Sequence, residues 1–179
     1  MGLHNHSEYS NFRLRDSINR IPDLMEYTHK LGHKGIAITE HETIASSLEA
    51  QAYLRSKKDD PAWKDFKLAL GNEIYLCDPS VNADNKEKLV FPHFILIALD
   101  EEGHKQIREL STKAWMRSFM RNKVMRVPTY YNDLDEIIYP NQGHVIASSA
   151  CIGGELPRII LGLRDEFNQE LVSTGMSLA

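Results

Sequence analysis

Apolar positions along this chain switch repeatedly between a short continuous run and a spacing of three to four, which is the pattern of strands alternating with amphipathic helices. The stretch "RIPDLMEYTHKLG" sets Ile21, Leu24, Met25 and Leu31 on one helical face, with Asn19 as the cap, Pro22 in the first turn and Gly32 at the end. "GIAITEH" follows as a buried strand, and "TIASSLEAQAYLRSKK" as a second helix. "KLALGNEIYL", with a kink at Gly71, and "VFPHFILIAL" are strands, "EEGHKQIRELSTKAWMRSFMR" a third helix, and "DLDEIIY" a short helical turn. "GHVIASSA" closes the strands, "GGELPRIILGL" turns a glycine corner into a helix, "DDPAWK" is a turn, and "DPSVNADNKEKL" is an exposed hairpin or loop. The order β then α, repeated, predicts an α/β fold: a mostly parallel sheet with helices packed on it, open or closing toward a barrel. Such folds carry their chemistry at the C-terminal ends of the strands.

Composition narrows this to one compact domain. The 179 residues are 42% hydrophobic and 26% charged, with no internal repeat or low-complexity linker. A net charge of −4 excludes a protein that coats nucleic acid by bulk charge, so phosphate contacts have to come from a local patch. "WMRSFMRNKVMRVP" offers one, in Arg117, Arg121, Lys123 and Arg126, although the same residues also suit a solvated helix face with snorkelling stems. Two cysteines make no disulfide framework, no apolar run approaches a membrane span, and the polar start is no secretory signal, which points to the cytoplasm and away from membranes.

The chemistry lies in where the ligand-type residues fall. His4 and His6 occupy the expected opening strand, where i and i+2 side chains share a face. Asp16 sits in the loop that leaves it, Glu40 and His41 end the second strand, Glu73 follows Gly71 in the third, His93 enters the fourth, and Cys151 ends the last. Each has an ordinary alternative, as a loop acid, a strand-surface glutamate, a satisfied core histidine or a small buried thiol. Together they describe a cation cluster. Imidazole, carboxylate and thiolate suit zinc or manganese better than magnesium or calcium, and two or three such ions can activate water and clamp a phosphoester. His29, His33, His104 and His144 fall at helix ends or in turns, where capping and electrostatics explain them.

These residues, in this order, resemble the PHP (polymerase and histidinol phosphatase) domain, and more closely the form at the N-terminus of bacterial and phage DNA polymerase III alpha subunits. "LHNHSEYS" resembles the family's HxHTxYS, "AITEH" its TDH motif, "LGNEIYL" its G-x-E segment, "PHFILIALDEEGHKQIRELSTKAW" its long H-to-A motif, and "IASSACIGGELP" its S-x-C-x-G-G-E-I. The resemblance implies a distorted (β/α)7 barrel holding two to three zinc or manganese ions on His4, His6, Asp16, His41, Glu73, His93 and Cys151. Family geometry makes Glu73 a bridge, sets His4 with His6, His93 with Cys151, and Asp16 with His41, and takes a bound water as nucleophile.

Three departures qualify it. Glu40 stands where the family has Asp, "NFRLRDS" is longer than the usual loop before the acid, and no D-x-H pair follows Cys151. The barrel is therefore expected to be incomplete at its C-terminus, with residues 1–165 as the N-terminal portion of a longer polymerase subunit and 166–179 as a frayed tail. The implied role is metal-dependent phosphodiester hydrolysis of the 3′ to 5′ exonuclease, proofreading type, or structural support of the polymerase. Its implied partners are DNA, as a single strand or primer 3′ end, the remaining polymerase chain and other replisome subunits. The alternatives are a free-standing phosphoesterase of the histidinol phosphatase type and a non-catalytic interaction module.

Overall fold

The structure is a computed structural model that describes residues 1–12, 15–78 and 90–161. The stretch 79–89, which includes most of the expected polar hairpin, and the expected frayed tail 166–179 lie outside the described residues.

Helix α1 (Ile21–Lys30) and strand β1 (Gly35–His41) are joined through Gly32, whose φ of 78° ends the helix in the left-handed conformation glycine tolerates. The cap differs from expectation. Arg20 takes that position without a side-chain bond, because Asn19 is spent tying down the N-terminal segment: its Nδ2 donates to His6 O (3.3 Å) and its carbonyl accepts from Glu8 N (2.8 Å). Helix α2 (Ser47–Ser56) leads through a single 3₁₀ turn at Pro61–Trp63 into β2 (Lys67–Cys77), then β3 (His93–Ala98) and α3 (Glu101–Met116). Strands β4 (Phe119–Arg121), β5 (Val124–Arg126) and β6 (Pro128–Tyr130), helix α4 (Tyr131–Ile137), β7 (Val145–Ser149) and α5 (Glu155–Ile160) complete the order.

The α/β class holds, but the sheet is mixed rather than mostly parallel. β1 and β2 are parallel, whereas β2–β3 and β3–β7 are antiparallel. The parallel pair is linked by a helical crossover through α2; no described helix lies between β2 and β3, and antiparallel neighbours need none. At 11 residues β2 is the spine, pairing with β1 along Lys67–Glu73 and, on the same edge, with β6 along Tyr75–Cys77. It runs unbroken through the expected kink. Gly71 is required there for another reason: a Cβ would stand 2.4 Å from Leu96 O and 2.9 Å from Thr39 Cγ2.

Strand parity divides the residues between two faces. One face is covered by helices, with Ile36 and Ile38 packing against Ile21, Met25 and Ala50, and Ile74, Leu76 and Leu96 against Ile107, Leu110 and Ile137. The other carries His41, Glu73, Tyr75 and His93 beside a small cluster of Ala37, Ile95 and Ile97. The two large cores set the register that delivers those four polar residues to the opposite face.

Two expectations about the ends of elements are corrected. The N-terminal segment is not a regular strand. It makes one bridge, Gly2 to Ile36, then bonds to β1 at Ala37 N→Gly2 O and Thr39 N→Asn5 O (both 2.9 Å), three residues against two, before a 3₁₀ turn over Glu8–Phe12. The third helix stops at Met116, because Asn122 and Lys123 adopt φ of 52° and 64° and turn the following residues into the β4–β5 hairpin. Only the tip residues give that hairpin away, and they lack the usual glycine.

Arg117, expected to belong to the phosphate-binding patch, is bound elsewhere. Its guanidinium makes a two-pronged pair with Asp133 (2.7 and 2.8 Å) and lies 4.4 Å from the Tyr130 ring centre. Burial works to raise the Asp133 pKa, but Arg117 and the Tyr130 N–H more than offset it and hold the carboxyl below its ordinary value. A folded-state pKa below the unfolded one stabilises the fold fully above the unfolded value of about 3.9, and the contribution disappears as pH falls through the folded value. Asp133→Asn is expected to cost about 2 kcal/mol at pH 7, with wild-type and variant urea midpoints converging below about pH 4. A pH-independent difference between them overturns this account.

Candidate metal centre

Glu73 is completely buried on β2, and every ion pair it makes among the described residues is to a histidine. His4 Nε2 and His6 Nε2 approach its Oε2 at 2.8 and 2.9 Å, and His41 Nδ1 approaches the same oxygen at 3.3 Å. His93 Nδ1 lies 2.5 Å from Oε1, the other carboxylate oxygen. Four imidazoles from three parts of the fold thus enclose one carboxylate.

Each arrives by a separate local device. His41 is placed by the β1–β2 register, directly beside Glu73, and His93 by the β2–β3 register, beside Tyr75. The loop after His41 is pinned by Glu42, whose φ is 56°, whose N–H donates to Glu73 O (2.9 Å) and whose carbonyl accepts from Trp115 Nε1 (2.7 Å). His4 and His6 converge although their segment is irregular, with their Nε2 atoms 2.8 Å apart. Asp16, half exposed, accepts from His41 Nε2 at 2.8 Å.

The electrostatics follow from burial. Desolvation alone raises the Glu73 pKa, but the imidazoles around it, His41 foremost, more than offset it, and the carboxyl is held far below its usual range. His41 shows the converse: burial disfavours its charge, yet Glu73 and Asp16 raise its pKa above the ordinary value. Two of the nitrogens and one oxygen, from His4, His6 and Glu73, form a group whose ligand atoms all lie within 4.8 Å of one another. A buried carboxylate ringed by imidazoles, two of whose nitrogens meet at 2.8 Å, fits a divalent cation.

Of the seven sequence-derived ligand positions, His4, His6, Asp16, His41, Glu73 and His93 are linked by these contacts. Cys151 is not. β7 ends at Ser149, its site-face positions are Ile146 and Ser148, and Ala150 continues that face into the Ala37 cluster, so Cys151 stands in the following turn, half-buried, outside the compact group. Two of the histidines set aside on sequence are engaged elsewhere: His29 stacks on Trp63 at 4.3 Å, and His144 pairs with Asp100 at 2.7 Å. Sequence reasoning missed Tyr75, whose hydroxyl lies 3.2 Å from His41 Nδ1 and whose ring stacks on His93 at 4.5 Å. Its position two residues beyond Glu73 on a strand was the available signal.

With this geometry in view, the comparisons decide the family, because the PHP domain matches residues 2–174. The chain belongs to the PHP domain family. Relatives of this PHP domain include probable DNA polymerase YorL of Bacillus subtilis strain 168, 42% identical over 160 residues, which are 87% of this chain and 12% of the relative. DNA polymerase III subunit alpha of Borreliella burgdorferi is 31% identical over 170 residues, 92% of this chain and 13% of the relative. The PHP chain thus spans about an eighth of the length of the curated relatives it matches. A solved structure from Bifidobacterium adolescentis, titled as a candidate metal-dependent phosphoesterase, is similar at 24% identity and a TM-score of 0.38, over 65% of this chain and 35% of that one. No helix among the described residues is long and apolar enough to cross a membrane.

Glu73→Gln is expected to lower the pKa of His41 in metal-free protein, because it removes the larger of the two carboxylates' effects that raise it. Histidine NMR titration reads this directly, and a His41 value that does not move refutes the assignment of Glu73 as the centre of the cluster.

Proposed function

We propose that this chain is the phosphodiesterase module of a polymerase III alpha-like protein, in which a zinc- or manganese-loaded cluster hydrolyses DNA from a 3′ end. The observation that carries the proposal is the convergence of His4, His6, His41 and His93 on the buried Glu73. His4, His6 and Glu73 would hold one ion, Asp16 and His41 another, and His93 a further position, which Cys151 reaches only if the turn after β7 closes. When bound, such ions lower the pKa of a coordinated water and polarise the phosphoryl oxygen.

The protein's own residues supply the rest. Glu73 fixes the negative charge that balances the site, Tyr75 orients His41 through its hydroxyl and His93 through ring stacking, and Asp16 takes the outward nitrogen of His41. The β4–β5 hairpin carries the nucleic-acid contact. Between Trp115 and Val127 there are four cations and no acid, and three of them, Arg121, Lys123 and Arg126, belong to the hairpin. The guanidiniums of Arg121 and Arg126 both lie over Phe91, at 4.7 and 5.2 Å, two residues before His93, so the basic hairpin stands beside the cluster. Cations on an aromatic platform suit a single strand, whose phosphates and bases they meet together. The remaining polymerase chain, other replisome subunits and a cytoplasmic location belong to this reading.

Metal content by mass spectrometry, together with cleavage of a 3′-labelled oligodeoxynucleotide in manganese, tests the chemistry. Stoichiometric metal and chelator-sensitive loss of 3′ nucleotides are expected. Metal-loaded protein that cleaves only small phosphomonoesters supports the histidinol phosphatase type instead, and metal-free, inert protein supports a structural or interaction module. For the hairpin, fluorescence anisotropy with oligo(dT) is expected to show salt-dependent binding. In Arg121→Gln/Arg126→Gln the log–log slope is expected to shrink by about 1.4, because two phosphates of the single strand are no longer neutralised and each accounts for about 0.7. An unchanged slope removes the hairpin from the DNA path.

A further inference from the structure

We infer that Glu40 is a positioning residue that fixes the tautomer of His6 through Ser10, leaving the lone pair on Nε2, the nitrogen that faces Glu73. The inference rests on reading the cluster as a metal centre, but its first readout needs no metal.

The argument is a proton count. A serine hydroxyl has one proton to give and two lone pairs to receive with. Ser10 Oγ, completely buried, has three neighbours: Glu40 Oε2 at 2.5 Å, the His41 backbone N at 3.1 Å and His6 Nδ1 at 2.9 Å. A carboxylate accepts only, so the hydroxyl proton goes to Glu40. The His41 N–H donates only, so it occupies one lone pair. The other lone pair faces His6 Nδ1, which therefore carries the proton, and Nε2 is left bare.

Glu40 is locked in the role that drives this count. It is 0% exposed, its Oε1 accepts from Ser7 Oγ at 2.5 Å, and its Oε2 also accepts from the Ser7 N–H at 3.0 Å. Three donors converge on it. Parity places Glu40 on the helix-covered side of β1 while its neighbour His41 faces the cluster, and among the described residues the carboxylate reaches His6 through Ser10. The arrangement is the one that metal-bound histidines require, the far ring nitrogen donating to an oriented acceptor so that the near one can ligate. Bare Nε2 lies 2.9 Å from Glu73 Oε2, two lone-pair bearers with a cation's place between them.

The test is long-range ¹⁵N–¹H NMR of the histidine rings in metal-free protein, followed by zinc titration against a chromophoric chelator. Wild type is expected to show a protonated His6 Nδ1, and so is Glu40→Gln, which retains an acceptor for Ser10. In Glu40→Leu the Ser10 proton is freed to donate to Nδ1, so the Nε2–H tautomer is expected, as it is in Ser10→Ala, with zinc affinity lowered about 10–100-fold in both. Ser10→Thr is expected to restore both readouts, which separates the effect from a folding defect. An unprotonated Nδ1 in wild type, or an unchanged tautomer in Glu40→Leu, overturns the inference, and a flipped tautomer with unchanged zinc affinity overturns the positioning role. If wild type binds no zinc while Glu40→Leu still flips the ring, the metal reading fails and the tautomer assignment stands.

Discussion

The structure depends on one costly act, the complete burial of the Glu73 carboxylate on the central strand. An ionised group without water is tolerated only when opposite charge and hydrogen-bond donors are brought to it, because the penalty is several kcal/mol per ion even after relaxation, on the order of a large share of a domain's whole stability. Here the compensation is four imidazoles, carried by the N-terminal segment, β1 and β3, with no lysine or arginine among the described partners. Nothing in helix or sheet formation asks for that arrangement. It is maintained by packing elsewhere: the cores around Ile36–Ile38 and Ile74–Leu96 hold the registers that set His41 and Tyr75–His93 beside it.

This separates the labour of the two sheet faces. A one-residue slip of β1 against β2 would exchange His41 for Glu40 on the cluster side and move Ile38 out of its core, so hydrophobic packing polices the site's geometry. Gly71 tightens the same constraint, since the close approach of Leu96 O leaves no room there for a side chain and brings β3 close to β2 two residues before Glu73.

How much of this was legible in the sequence follows from how local each determinant is. The helices α1 to α3 and the strands β1, β2, β3 and β7 were readable because their periodicity is carried by their own residues. The sense of the β2–β3 pairing was not, because direction depends on whether a crossover lies between strands, and the connecting residues show only polarity. The hairpin at Asn122 was hidden because "RSFMRNKVMR" continues a helix-like spacing and its positive-φ tip uses Asn and Lys where Gly gives the usual warning. At the site, residue type and strand position single out as candidates the histidines and Glu73 that the fold brings together. The Ser7–Ser10–Glu40 web escaped notice since serines in a loop carry no signal until the fold sets them against a buried acid.

The basic hairpin and the acidic cluster make sense only as a pair. Glu73, Asp16 and Glu40 lie near one another in a chain of net charge −4, and each is held by imidazole or serine partners. In the function proposed above, divalent charge at the imidazoles and fixed cations at the rim together set the field that a phosphodiester meets. Arg121 and Arg126 stand on Phe91, which leads directly into His93, so the rim charge is tied to the strand that carries a cluster histidine. Arg117 cannot share the task, because moving it would strand Asp133 without its two-pronged partner. The segment that reads as one basic run is therefore two devices, an internal pair that holds α3 to α4 and a hairpin pair of guanidiniums laid over Phe91.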